Sequence, residues 1–178
     1  MTDEADSKSA TLQTPPGPVA IQGKIFAKWQ ALKMDLTPDG DDAQAHLGLP
    51  SGPETAVPEE QGGGAAQHFQ RGMIVERTDG RVFVVYGAIY DCYRSIGDTA
   101  GIVGQPTSDE EAAGYGGRVA HFDNGDIYWR EDFGAREVHG ARRHRYTAHG
   151  YPFRRSWAGR SLAFCQAILR GLTSGRFP

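Results

Sequence analysis

A chain of 178 residues, 39% hydrophobic and carrying 24 glycines, has room for one ordinary domain or a few small repeated units, and it favours turns over a helical bundle. Its net charge of −3 excludes a general electrostatic pull toward nucleic acid or an anionic membrane. Two cysteines, Cys92 and Cys165, allow one disulfide but no disulfide framework, and they stand in no spacing suited to zinc.

The first twenty residues, MTDEADSKSATLQTPPGPVA, lack the basic start and apolar core of a secretory signal. They are polar and proline-bearing, which predicts a disordered leader over 1–20. No apolar run along the chain reaches membrane-spanning length. After Gly23, Ile25, Trp29 and Leu32 recur at helical spacing and predict a short helix. Residues 34–70 then carry acids but no Lys or Arg. Inside that stretch LGLP (47–50) holds Gly48 and Pro50, with Glu54 four residues past the proline. Breakers at this density predict an ordered loop, and the carboxylate suits the loop's own N–H groups. Strands are expected around Ile74 and Val84, turned at Thr78-Asp79-Gly80. A second helix follows, with Ile89, Tyr93 and Ile96 on one side and Gly97 placed for a left-handed cap.

Beyond Gly97 the pattern starts again. VGQP (103–106) repeats the box with Gly104, Pro106 and then Glu110. HFDNGDIYW (121–129) repeats HFQRGMIVE (68–76) 53 residues later, so that Phe69 and Gly72 fall on Phe122 and Gly125. Residues 72–97 lie over 125–150 without a gap, and 21–32 lie over 85–96. That many Gly, Pro and aromatic positions in register mark a true repeat. The units run over about 21–86 and 87–139, with a partial third from 140. Each is read as a short helix, a Gly-x-Pro loop and a small antiparallel hairpin sheet. The fold class is a β-rich α+β repeat protein. The Asn124-Gly125 pair predicts the hairpin tip between Phe122 and Ile127. After Gly150 no third box arrives, and 151–178 reads as a divergent Arg-rich tail or a capping helix.

The box and strand positions Gly48, Pro50, Glu54, Phe69, Gly72, Gly104, Pro106, Glu110, Phe122 and Gly125 resemble those of the LGFP repeat family. So do the Phe122-x-x-Gly125-x-Ile127-Tyr128 stretch and the closing Gly134, Ala135, Val138 and Gly140. The resemblance covers roughly 21–150. It implies a non-catalytic module of bacterial cell-envelope proteins that grips wall polysaccharide, of arabinogalactan or peptidoglycan type, with units stacked in a propeller-like way. It also implies an envelope or secreted location, against which stands the missing signal sequence.

Candidate ligand residues follow from strand alternation. Asp126 and Tyr128 share one face and Ile127 and Trp129 the other, so a sugar-stacking ring stands beside a hydrogen-bond acceptor. His121 precedes the shared Phe and completes the set Tyr128, Trp129, Asp126 and His121; the alternative for each aromatic is a place in a small core. His121, Asp123 and Asp126 lack an EF-hand's periodicity, so no metal and no cofactor is expected. Asp123, Asp126, Glu131 and Asp132 are the carboxylates a glycosidase reading would need. No Gly-x-Ser-x-Gly, HExxH or P-loop accompanies them. The Arg-rich end, with Tyr146, Tyr151, Phe153 and Trp157 interleaved, suits an anionic polymer or an intracellular partner. Self-association fits so short an array.

Overall fold

The computed structural model describes residues 9–15, 17–33, 43–114 and 116–143. Its first element is a hairpin in which β1 (Ser9–Thr14) pairs antiparallel with β2 (Gly17–Gln22). This corrects the expected disordered leader where the chain is described, at 9–15 and 17–20; residues 1–8 lie outside the described residues. Ala10 stands opposite Ile21 and Leu12 opposite Val19, giving one apolar face that packs beside the first helix. Pro15 does not disrupt the pairing because it falls in the turn, where Gly17 takes φ +135° and the Thr14 hydroxyl donates to the Gly17 carbonyl at 2.6 Å.

Helix α1 (Gly23–Ala31) follows directly, then the short α2 (Ala43–Leu47) that leads into the first box. Strands β3 (Thr55–Ala56), β4 (Ala65–Phe69), β5 (Gly72–Glu76) and β6 (Val82–Tyr86) form an antiparallel sheet in chain order. Helix α3 (Gly87–Ser95) leaves the last strand without a linker, and Gly97 takes the expected left-handed conformation at φ +106°. The second sheet repeats the first with β7 (Glu111–Gly114), β8 (Gly117–His121), β9 (Gly125–Arg130) and β10 (Gly134–His139). Residues 141–143, after Gly140, are helical. Gly23, Gly87 and Gly140 turn strand into helix at φ +59°, +58° and +59°, so the junction is the same three times.

Strand alternation decides what lies on each side of the first sheet. Ile74 and Val84 face α1, where they pack with Ile25, Phe26 and Leu32. Met73, Val75 and Val85 face α3 and pack with Ile89, Tyr90 and Tyr93. That second cluster also takes in Ala120, Phe122 and Ile127 of the following sheet, so α3 is sandwiched between two sheets. The far face of the second sheet carries a small separate cluster of Ala113, Val119, Tyr128 and Val138. The fold is the β-rich α+β repeat expected. The described sheets form an open stack and close into no propeller.

The Gly-x-Pro box works identically in both copies. Pro50 bridges to Phe69 and Pro106 to Phe122, while the N–H groups of Ser51 and Thr107 donate to the His68 and His121 carbonyls at 2.9 and 2.8 Å. Gly48 and Gly104 take φ +79° and +77° to make the bend. The box is thus a bridge across the mouth of the hairpin rather than a free loop. The tip of the second hairpin is shifted by one residue from the expected Asn124-Gly125. Asp123 and Asn124 form it, with Phe122 N–H donating to the Gly125 carbonyl at 2.9 Å and Gly125 in β9. The box sets this register: Asp123 N–H donates to the Gln105 carbonyl at 3.0 Å and Asn124 N–H to the Val103 carbonyl at 2.8 Å. The capping-helix and Arg-rich-tail expectations for 151–178 lie outside the described residues, as does Cys165.

Candidate functional site

The expected ligand residues sit on opposite faces of β9, as alternation requires. Asp126 and Tyr128 point to the far side of the second sheet and are 1% and 4% exposed. Trp129 turns the other way and packs, half-buried, against the cluster around α3. Tyr128 is therefore closed to stacking, and Trp129 keeps only part of its surface exposed. Of the repeat positions, Phe69 and Phe122 are buried in the two larger clusters. Glu110 departs from its expected role as holder of its own loop. Its Oε1 accepts from Arg118 Nε at 2.8 Å, and burial pushes its carboxyl above the usual range against the pull of that guanidinium. Other acids hold the N–H groups: Asp109 accepts from Val84 of the first sheet at 2.9 Å, and Asp123 from Gln105 at 3.1 Å. Glu54 is half-buried just before β3.

Asp126 anchors a polar cluster on the far face. His121 Nδ1 is 2.6 Å from its Oδ1, and Arg143 reaches both oxygens, Nε to Oδ2 and Nη2 to Oδ1, each at 3.1 Å. A third Arg143 nitrogen, Nη1, donates to the Asp123 carbonyl at 3.2 Å. The hydrogen bond that His121 donates to Asp126 raises the His121 pKa above its ordinary value, with burial opposing it. A cation entering here would have to displace the guanidinium, and among the described residues no group of three His, Cys, Asp or Glu could hold a metal. Sealed from solvent, Asp126 is also shielded from any substrate. Asp132 sits on an exposed turn, where its bond to Arg130 holds it below the usual carboxylate range. A general acid needs the opposite shift.

Beside this cluster opens a groove of about 1000 Å³. Ile102, Asp123, Asn124, His139, Gly140, Ala141 and Arg143 line it. Both charged side chains are engaged elsewhere: Arg143 with Asp126, and Asp123 with Arg77 of the first unit through two bonds of 3.0 and 3.1 Å. What the groove offers is therefore largely neutral. It has the Asn124 amide, which both donates and accepts, the His139 ring, and Ile102, an apolar side chain 56% exposed. An amide beside an exposed aliphatic surface matches the hydroxyl edge and C–H face of a sugar.

In the first unit the corresponding positions are His46, Gln70, Arg71, Tyr86 and Gly87. There the space is bridged: Gly87 N–H donates to the Arg71 carbonyl at 2.8 Å, and the His46 and Tyr86 rings lie 6.4 Å apart. The groove belongs to the second junction. Sequence reasoning missed Ile102 and His139, which stand far apart in the chain and fit no motif, and counted Arg143 only with the Arg-rich end. One signal was available, since Arg143 falls on Tyr90 when the units are superposed, together with Asp126 on Met73.

Among the described residues no helix is long and apolar enough to cross a membrane. A sequence model of the family described as the LGFP repeat matches residues 47–101 and 103–152, more than half of the chain. No curated protein matches. Each match opens at a box, so the family's unit is box, sheet and then helix, and α3 closes the first unit rather than opening the second. By the same measure β1, β2 and α1 have the form of a unit's closing half.

Proposed function

The chain belongs to the LGFP repeat family, and from that premise we propose that it is a non-catalytic module that binds cell-wall polysaccharide of arabinogalactan or peptidoglycan type. The observation that carries this reading is the groove of the second junction, where Asn124, His139 and Ile102 combine amide, imidazole and apolar surface while the neighbouring charges are internally paired. Binding of neutral hydroxyls needs that combination, and a groove without a free charge discriminates against ions. Catalysis has weaker support, because Asp126 is enclosed and Asp132 is held ionised by Arg130.

Retention on insoluble arabinogalactan and on peptidoglycan, measured with protein whose fold is verified, tests the proposal. The wild-type chain is expected to be retained, with little change on raising salt. Asn124→Ala removes an exposed amide and should weaken retention about tenfold, the cost of one or two sugar hydrogen bonds. Ile102→Asp should do the same by wetting the apolar wall. Passage of the wild-type chain through both matrices would sink the reading. Full retention of both variants would move the site elsewhere on the molecule.

A further inference from the structure

The two places where a helix start meets the sheet before it can be compared position by position. At the first, His68 Nδ1 and the Tyr90 hydroxyl of α3 are 3.1 Å apart, and Met73, which pairs with His68 across the strands, is 1% exposed. At the second, His121 holds the place of His68, Asp126 that of Met73, and Arg143 that of Tyr90. A His–Tyr hydrogen bond at the first junction is replaced at the second by a carboxylate shared between a histidine and an arginine, with Asp126 1% exposed between the two nitrogen donors.

The two changes require each other. Asp126 opposite a tyrosine would lose the guanidinium that bonds both its buried oxygens and keep only His121. Arg143 opposite a methionine would lose its ion pair with the sheet. We propose that His121, Asp126 and Arg143 form a charge-dependent latch, which docks the helix start at 140–143 onto the second sheet while His121 and Arg143 share the buried carboxylate.

The groups facing His121 set the direction of the response. Asp126 on β9 and Glu111 on β7 favour its protonated form, and both stay beside it on the sheet whether or not 140–143 is docked. Arg143 and burial oppose protonation, and these are what docking brings. The His121 pKa, raised by the sheet itself, is therefore lower docked than undocked. Docking is strongest with His121 neutral and weakens as pH falls through that raised pKa, where the protonated ring competes with Arg143 for Asp126.

Amide hydrogen exchange of the 138–143 segment, corrected for intrinsic rates and followed from about pH 5.5 to 8.5, reads the latch directly. Opening should increase as pH falls, by up to about tenfold for every unit by which docking lowers the His121 pKa. Exchange of α3 in the same spectra should stay flat and certifies the fold. Asp126→Met with Arg143→Tyr transplants the first junction's chemistry and should make 138–143 exchange independent of pH. His121→Gln, which keeps a donor for Asp126 but does not titrate, should flatten the response even if the double variant fails to fold. A flat wild-type profile, or an unchanged slope in His121→Gln, would overturn the proposal.

Discussion

Gly72 and Gly125 show what a repeated glycine is for. Neither needs a left-handed backbone. A Cβ on Gly72 would come within 2.5 Å of both Leu47 Cδ1 and the Val85 carbonyl oxygen, and one on Gly125 within 2.8 Å of Val103 Cγ1. The first residue of each box fills the space that a side chain would take. Gly72→Ala should therefore destabilise by about 1–3 kcal/mol, the usual cost of overpacking against atoms that cannot move, as a lower urea midpoint at unchanged m-value. Tyr93 is equally fixed: its hydroxyl donates to the Gly104 carbonyl at 2.8 Å, and its ring sits 4.6 Å from that of Phe122. Tyr93→Phe leaves that carbonyl without its partner and should cost about 1 kcal/mol in the same measurement. The repeat made these positions visible in the sequence. Their reasons were not visible, and Gly125 in particular reads as a turn residue when its role is close approach.

At the scale of elements, α3 is the piece that both sheets require. Ile89 is 2% exposed in the cluster joining Met73 and Val85 to Ala120 and Ile127. Ile89→Ala should cost about 2–5 kcal/mol, as buried large-to-small changes do, and should weaken both units at once. Fluorescence can check this, because Trp29 packs against the first core and Trp129 against the second. Urea transitions of Trp29→Phe and Trp129→Phe backgrounds should coincide, and both should move by the same amount in the Ile89 variant. Two transitions would show that the sheets unfold separately. Helical spacing disclosed α1 and α3 with nearly correct limits. The β1–β2 hairpin escaped notice because polar residues and prolines dominate its composition, although Ala10, Leu12, Val19 and Ile21 alternate as a strand face should.

Across the whole molecule, polar ties run between units at points that no single unit explains. Lys28 of α1 pairs with Asp109 of the second box, Gln105 Nε2 donates to the Gly63 carbonyl at 2.7 Å, and Arg77 clasps Asp123. These contacts fix how one unit sits on the next, and they hold Asp123 at the edge of the groove. The sequence by itself determined the repeat, its helices and boxes and the family, because these depend on local spacing and on backbone-special residues recurring at fixed intervals. Tertiary structure alone decided that Asp126 is enclosed rather than offered to a ligand, and that Arg143 joins it beside an open groove. Which side of a strand meets the next helix depends on stacking across residues far apart in the chain, and a linear pattern carries no record of that distance.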